Sequence, residues 1–244
     1  MTSILENNWH ILLLGQYPDG PLGGLALTLI LSVLGLGLSF PFSVLLALGR
    51  TSPWKVFRYP TTALVYTVRG IPLIMLIFWA YFFVPLVIGH SVTGFTTLLC
   101  TLVIYESAYL GEVIRAGIEA LPKGQVEASR ALGLSYLKTV VKVVLPQALY
   151  NMLPSMVSQF VSTIKETSLG YVISVQELTY SANQVNNNLL TEPFSVFAIL
   201  ALTYFIICFI LTQFARRLEL RIHHKRQGTS RRRSSQNDFL LQSE

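Results

Sequence analysis

Charge is scarce in this chain. Of 244 residues, 12% are Asp, Glu, Lys or Arg and 52% are hydrophobic, whereas a soluble domain carries about 25% charged residues. That shortage argues against an ordinary soluble domain and makes an integral membrane protein the default. Cysteine occurs only at Cys100 and Cys208, both inside apolar runs and without metal-ligand spacing. Both read as small buried hydrophobes rather than as a disulfide or metal ligands. The phosphate-cradling pattern G-x-x-x-x-G-K-[ST] is absent, so the chain does not hold a nucleoside triphosphate by that loop. Before Leu22 the only charges are Glu6 and Asp19; with no basic n-region, a removable signal peptide is not expected.

What is present is a set of long apolar runs. Leu22 to Leu48 and Phe194 to Phe214 hold no acidic or basic residue, and Ile71 to Thr101 holds only His90. About 20 apolar residues cross roughly 30 Å of hydrocarbon as a helix. Five spans are expected, over 22–48, 60–85, 94–115, 147–174 and 194–216, in an all-α integral membrane fold. The fourth is interrupted by Ser158, Gln159, Lys165 and Glu166. Ahead of the first, "GQYPDGP" breaks the chain, and residues 1–17 form either a short interfacial helix or a loosely ordered leader.

The connections carry the charge, and they carry it on one side. Arg50, Lys55 and Arg58 follow span one, Lys123, Arg130, Lys138 and Lys142 follow span three, and Arg216 to Arg233 follow span five. Segments 1–21, 86–93 and 176–193 are nearly free of cations. Lysine and arginine excess marks the cytoplasmic side, so the N-terminal segment 1–21 is expected outside and the C-terminus inside. The basic tail, 221–244, is expected to be disordered and to hold anionic lipid rather than nucleic acid.

Between spans three and four lies "VEASRALGLSYLKTVVKVVLPQ", residues 126–147, polar where its neighbours are not. Good helix formers follow Pro122, Gly133 interrupts them, and a second helix is expected from about Ser135 to Leu145, with Pro146 opening span four. Periodicity alone leaves two alternatives. One is an amphipathic hairpin lying on lipid, with Val126, Leu132 and Leu137 dipping in. The other is a compact knob, about 120–146, held by another protein.

Glu127-Ala128-Ser129, Gly133, Val143 and Leu145-Pro146 resemble the EAA motif of ABC-importer permeases: E-A-A, three residues, G, nine residues, I, one residue, L-P. Ser replaces the third residue and Val the Ile. "RGIPLIMLIFWAYF" from Arg69, "SAYLGEVIRAGIEALPKGQVEASRALGLS" from Ser107, "LPQALYNMLPS" and "KETSLGYV" are similar, in order, to blocks of the polar amino acid branch, and closest to its glutamate/aspartate permeases. Glu166 stands where Asp is more usual. The resemblance covers roughly 22–220 and implies a permease domain of the type I importer kind with a cytoplasmic coupling-helix hairpin. It implies that Glu127, Ala128, Ser129, Arg130, Gly133 and Leu134 dock on an ATPase, and that Arg69, Gly70, Pro72 and Pro146 are structural. It further implies two ATP-binding cassette subunits that bind ATP and Mg, a second permease chain, an extracytoplasmic amino-acid-binding protein, and a place in the bacterial inner membrane. No cofactor, catalytic residue or nucleic acid is expected for this chain itself.

An ionisable group in hydrocarbon costs about 2.5–3.5 kcal/mol on insertion scales, which makes each one a functional candidate. Glu112 and Arg115 are i, i+3 and pair along a helix, as a gate or structural pair near the inner boundary. Glu106 has no cation within a turn; it either receives a substrate ammonium or is protonated and hydrogen-bonded. Lys165, Glu166, Thr167 and Ser168 offer a polar lining or a gate. A stand-alone secondary transporter would show internal repeats, and no matching halves occur. A passive anchor would have no reason to keep these charges.

Overall fold

Inside hydrocarbon every backbone N–H and C=O must find its partner within the protein, which leaves helices as the solution for isolated apolar runs. A computed structural model of the chain describes the backbone of residues 2–241 and the side chains of residue 4 and residues 6–222. The elements are α1 (Thr2–Leu14), α2 (Gly24–Thr51), α3 (Lys55–Gly70), α4 (Leu73–Phe78), α5 (Val84–Ile88), α6 (Gly94–Glu119), α7 (Lys123–Ala131), α8 (Tyr136–Thr139), α9 (Leu145–Glu166), α10 (Leu178–Leu189) and α11 (Pro193–Leu241). A π-helical turn joins α4 to α5, another joins α8 to α9, and α9 tightens into a 3-10 turn at Thr167–Ile173. Among the described residues there is no strand, only the isolated bridges Gly15–Leu22 and Gly24–Glu177.

Among the described residues four helices are long and apolar enough to cross a membrane: Gly24–Thr51, Gly94–Glu119, Tyr136–Ile173 and Pro193–Ile222. The fifth crossing is α3 followed by Leu73–Ile88, bent by 98° between them. The expected straight span over 60–85 is therefore corrected to an elbow. Its cause is local. Proline disfavours helical backbone in the residue before it and lacks an N–H itself, and Ile71 ahead of Pro72 is extended at φ −105°, ψ 131°.

That elbow still carries the chain across. α2 and α6 run in the same direction, because Gly35 lies against Leu102, Ser107 donates to the Ser39 carbonyl at 3.4 Å, and Gly111 lies against the Ser43 backbone. Two parallel helices demand an odd number of crossings between them, and α3–α5 is all that lies there. The approach is close because α2 presents small residues every fourth position, Gly35, Ser39, Ser43 and Ala47, all buried. Small residues let membrane helices pack backbone to backbone. The serine hydroxyls are satisfied inside the chain: Ser43 donates to the Ser39 carbonyl at 2.7 Å.

α9 packs antiparallel on α6, with Gly117 against Ala148 and Met152 at one end and Gly94 against Ile173 at the other. α11 in turn lies along α9, with Ser155 and Ser158 facing Thr212 and Ala215. The end of this bundle where α2 finishes, with Arg50 in its last turn, and from which α7 projects is its basic end. At the opposite end α1, α10 and the start of α11 share an apolar cluster that includes Ile4, Leu12, Leu178, Val185 and Ile199. Of the two alternatives for residues 1–17, the helix is observed. The cation-poor segment 176–193 contains the twelve-residue α10.

Span four also differs from expectation. Gly133 and Ser135 do end one helix and start the next, but nothing stops at Pro146. Residues Tyr136–Ile173 form one crossing element of 38 residues. Pro146 sits in the first turn of α9, and the wider π-helical turn at Val140–Val144 makes room for its ring. The expected separate helix from Ser135 to Leu145 is thus the base of span four. The backbone of 221–241, expected to be disordered as part of 221–244, continues α11 as helix to Leu241; the side chains of the basic tail after Ile222 lie outside the described residues.

Candidate functional site

α7 is short, polar and held away from the bundle. Pro122 precedes it, in keeping with a ring that fixes φ and has no N–H to lose there. It ends in a Schellman-type closure: Gly133 N–H donates to the Arg130 carbonyl at 3.0 Å and Leu134 N–H to the Ser129 carbonyl at 3.2 Å. That closure needs a left-handed residue, and Gly133 has φ +82°. A Cβ on Gly133 would meet nothing within 4 Å, so the demand for glycine is conformational and not steric. Ser129 is buried and donates to the Gln125 carbonyl at 2.8 Å. Glu127, Ala128, Arg130 and Leu132 are exposed, Leu132 at 84%. The loop is tied to the end of α2 by Tyr136, whose hydroxyl reaches the Thr51 carbonyl at 3.5 Å.

One layer into the bundle, Glu112 on α6 gathers arginines from three helices. Arg115 donates to both carboxylate oxygens, at 3.1 and 2.6 Å. Arg50 at the end of α2 donates to the same carboxylate, and Arg69 at the end of α3 lies 3.7 Å away. Arg115 also pairs with Glu119. The Arg50 side chain is 7% exposed and that of Glu112 22%. Arg50 rests over Tyr66 and Arg69 over Tyr109, each 5.1 Å from the ring centre. The expected Glu112–Arg115 pair is present. Arg50 was missed, and Arg69 joins the charge cluster in addition to preceding the elbow.

Glu106 sits deeper, fully buried between α6 and α9. Gln159 donates to one of its oxygens at 2.9 Å, while its other oxygen has no partner. The Glu166 carboxyl faces it and also holds an unpartnered buried oxygen. Two carboxyl groups so placed complete each other only when one carries a proton, or when a cationic group enters between them. Of the rest of that stretch, Lys165 is exposed, whereas Thr167 is fully buried and donates to the Ile164 carbonyl at 2.7 Å. Ser168 donates to the Lys165 carbonyl at 2.6 Å. The structure therefore brings Glu166 to Glu106, and commits the Thr167 and Ser168 hydroxyl protons to carbonyls of their own helix turn.

Glu177 was not anticipated. It precedes α10 and accepts from the Thr179 and Tyr180 N–H groups at 2.8 and 3.0 Å, a carboxylate N-cap. Tyr204 of α11 donates to it at 3.1 Å. It is fully buried, and burial pushes its carboxyl up to about 7 against the opposing pull of these donors. An acidic residue just ahead of "LTYSANQV" was the sequence signal for it. Beside it, Tyr171, Ser174, Tyr180, Asn183, Gln184 and Asn187 line an open, uncharged polar cavity of about 520 Å³.

Comparison with known proteins places this geometry. A family model described as "Binding-protein-dependent transport system inner membrane component" matches residues 39–224. The probable glutamine ABC transporter permease of Bacillus subtilis is 38% identical over 200 residues, covering 81% of this chain and 91% of that one. The glutamate transport system permease of Corynebacterium glutamicum is 36% identical over 203 residues, covering 81% and 73%. Among solved structures, an amino acid ABC transporter crystallised with histidines superposes with a TM-score of 0.74 at 30% identity, covering 81% of this chain and 92% of that one. An inward-facing methionine ABC transporter superposes with a TM-score of 0.61 at 22% identity, a likeness of fold alone.

Proposed function

The chain belongs to the family of binding-protein-dependent transport system inner membrane components, and from that premise we propose that it imports polar amino acids of the glutamate, aspartate or glutamine kind. It is a permease subunit of an ABC amino-acid importer, and ATP hydrolysis belongs to a separate ATPase. The observation that carries the coupling role is α7: an exposed helix closed by a left-handed Gly133 at the motif position. Glu127, Ala128, Arg130 and Leu134 with it form the surface an ATPase cleft would grip.

What α7 reports is set by its connection. Tyr136–Ile173 is one element of 38 residues, about 57 Å long at 1.5 Å per residue. A push on α7 is delivered along it to Gln159 and Glu166, the residues that face Glu106. Two nucleotide-binding subunits closing on ATP and Mg would in this way drive two permease chains between states. Five crossings enclose no pathway alone, so a second permease chain completes it. Cation excess favours a cytoplasmic basic end, and the binding protein would then dock on the opposite, outer end, which carries α1 and α10.

Glu106 with Glu166 is the place for a solute ammonium, since both hold an unpartnered oxygen and a carboxylate pair in hydrocarbon is stabilised by a cation. Glu112 with its three arginines is a brace or gate below it. The test is reconstitution of the full complex in vesicles with its binding protein, measuring uptake of labelled glutamate, aspartate, glutamine and a neutral apolar amino acid. ATP-dependent uptake of the first three is expected. Uptake that persists without ATP or the ATPase overturns the assignment.

A further inference from the structure

Along one side of α6 runs a stripe that the chain leaves only half covered. Tyr105, Tyr109, Glu112 and Ala116 recur at i, i+4, i+7 and i+11, on one face of a helix, and none of them is buried. The other faces of α6 are taken: Gly111 lies on α2 and Gly117 on α9, and Ala108 packs with Val65 and Val68 of α3. At about 100° per residue, the stripe falls between the side of α6 that meets α3 and the side that meets α9.

Opposite charges gather at its two ends. At one end Tyr105 neighbours both Glu106 and Glu166, whose unpartnered oxygens are the proposed seat of the ammonium. Toward the basic end, ion pairs join three guanidinium groups, Arg50, Arg69 and Arg115, to two carboxylates, Glu112 and Glu119, leaving one cation in excess. Arg69 is the loosest member. Its Nε is buried without a partner, and its 3.7 Å approach to Glu112 is longer than a hydrogen bond. Glu112 is already held at shorter range by Arg50 and Arg115. The Arg69 guanidinium stands 5.1 Å from the centre of the Tyr109 ring, and that ring lies 4.5 Å from the Tyr105 ring. Two phenol rings therefore connect a carboxyl pole to a guanidinium pole.

The spacing of the poles fits a dicarboxylic amino acid. Glu106 and Glu112 are six residues apart, about 9 Å along the helix axis, and Arg69 sits beside Glu112. From ammonium nitrogen to distal carboxylate an extended glutamate measures roughly 6 Å at about 1.5 Å per bond. A hydrogen bond of about 2.9 Å at each end brings its reach to that separation, which the α-carboxylate, next to the ammonium carbon, is too close to span.

We propose that Arg69 receives the side-chain carboxylate of the solute while Glu106 and Glu166 hold its ammonium, which makes acidic amino acids the preferred cargo over their amides. The guanidinium fork matches both oxygens of a carboxylate, where a carboxamide offers one, and only the acid neutralises the excess cation. The proposal rests on the ammonium reading of the Glu106–Glu166 pair and names the class of solute that fits it.

The test is solute binding to the assembled permease–ATPase complex without its binding protein, so that any preference belongs to the permease. Labelled glutamate and labelled glutamine are titrated by equilibrium dialysis in detergent. Wild type should bind glutamate roughly tenfold more tightly. Arg69→Gln should erase that difference, weakening glutamate by roughly tenfold and glutamine by less than about twofold. Arg69→Lys keeps the charge without the planar fork and should leave an intermediate preference; should Arg69→Gln not assemble, this variant and the wild-type preference decide. Glu106→Gln examines the other pole and should weaken both solutes alike. If it weakens neither while Arg69→Gln still acts on glutamate alone, the ammonium assignment falls and the Arg69 contact stands. Equal affinity of wild type for the two solutes, no saturable binding of either, or a preference that survives Arg69→Gln overturns the proposal. Equal weakening of both solutes by Arg69→Gln overturns it too, by making Arg69 a brace and no more.

Discussion

Arg50 and Glu112 are joined across 62 positions of sequence, and through that contact the last turn of α2 is fastened to α6. Arg115 and Arg69 share the carboxylate, so one acidic side chain holds the ends of α2 and α3 and a turn of α6. Without it, three guanidinium groups at the membrane boundary repel one another.

Glu112→Gln removes the charge and keeps the shape. Breaking a fully buried ion pair costs about 3–5 kcal/mol; with the carboxylate 22% exposed, about 1–3 kcal/mol is expected after solvent screening. Thermal unfolding in detergent should show a fall in Tm of several degrees. An unchanged Tm would mean that the arginines find other partners and that Glu112 is no brace.

Gly133→Ala should act on coupling rather than on folding. A left-handed L-residue costs roughly 1–2 kcal/mol, and a Cβ there meets no neighbour, so insertion and assembly survive. Transport-coupled ATPase activity and uptake should both drop, further in Gly133→Pro, and Gly133→Asn should be milder because Asn tolerates that conformation. Full coupling in Gly133→Pro would refute the docking role of α7.

Glu106→Gln keeps an acceptor for Gln159 and removes one of the facing carboxylates. Uptake per assembled complex should fall at least tenfold, and Glu166→Gln should act in the same direction. Thr167→Val, with a hydroxyl already committed to the Ile164 carbonyl, should lower Tm and leave uptake per complex nearly unchanged. If Glu106→Gln lowers only Tm, the carboxyl pair is structural and not a solute site.

Glu177 predicts a pH dependence with a definite sign. Its folded-state value is raised from 4.5 to about 7, so its contribution is complete below pH 4.5 and is lost as pH rises through 7. Wild-type Tm should decline across that window relative to Glu177→Gln, whose profile should be flatter. Parallel profiles would show that the buried cap does not titrate there.

Orientation has its own test. In a background with Cys100 and Cys208 replaced by Ala, Asn187→Cys on α10 should react with an impermeant thiol reagent from outside the cell, and Gly124→Cys on α7 should not. The reverse pattern would invert the bundle and remove α7 from the cytoplasm.

The number of crossings, the side on which cations gather, and the polar knob at Glu127–Gly133 were legible along the chain. Each depends on the composition or spacing of neighbouring residues, and hydrocarbon enforces helix on any apolar run of sufficient length. The Glu112–Arg115 pair was legible for the same reason, being one turn apart. The elbow was half visible in Ile71-Pro72, but a proline marks a break without stating its angle. Arg50 on Glu112 and Glu166 facing Glu106 were not legible. Such contacts depend on how each helix is rotated about its own axis and how far it slides past its neighbour. That register comes from Gly35, Ser39, Ser43 and Ala47 packing on α6, a match between two surfaces that only exists once both helices are in place.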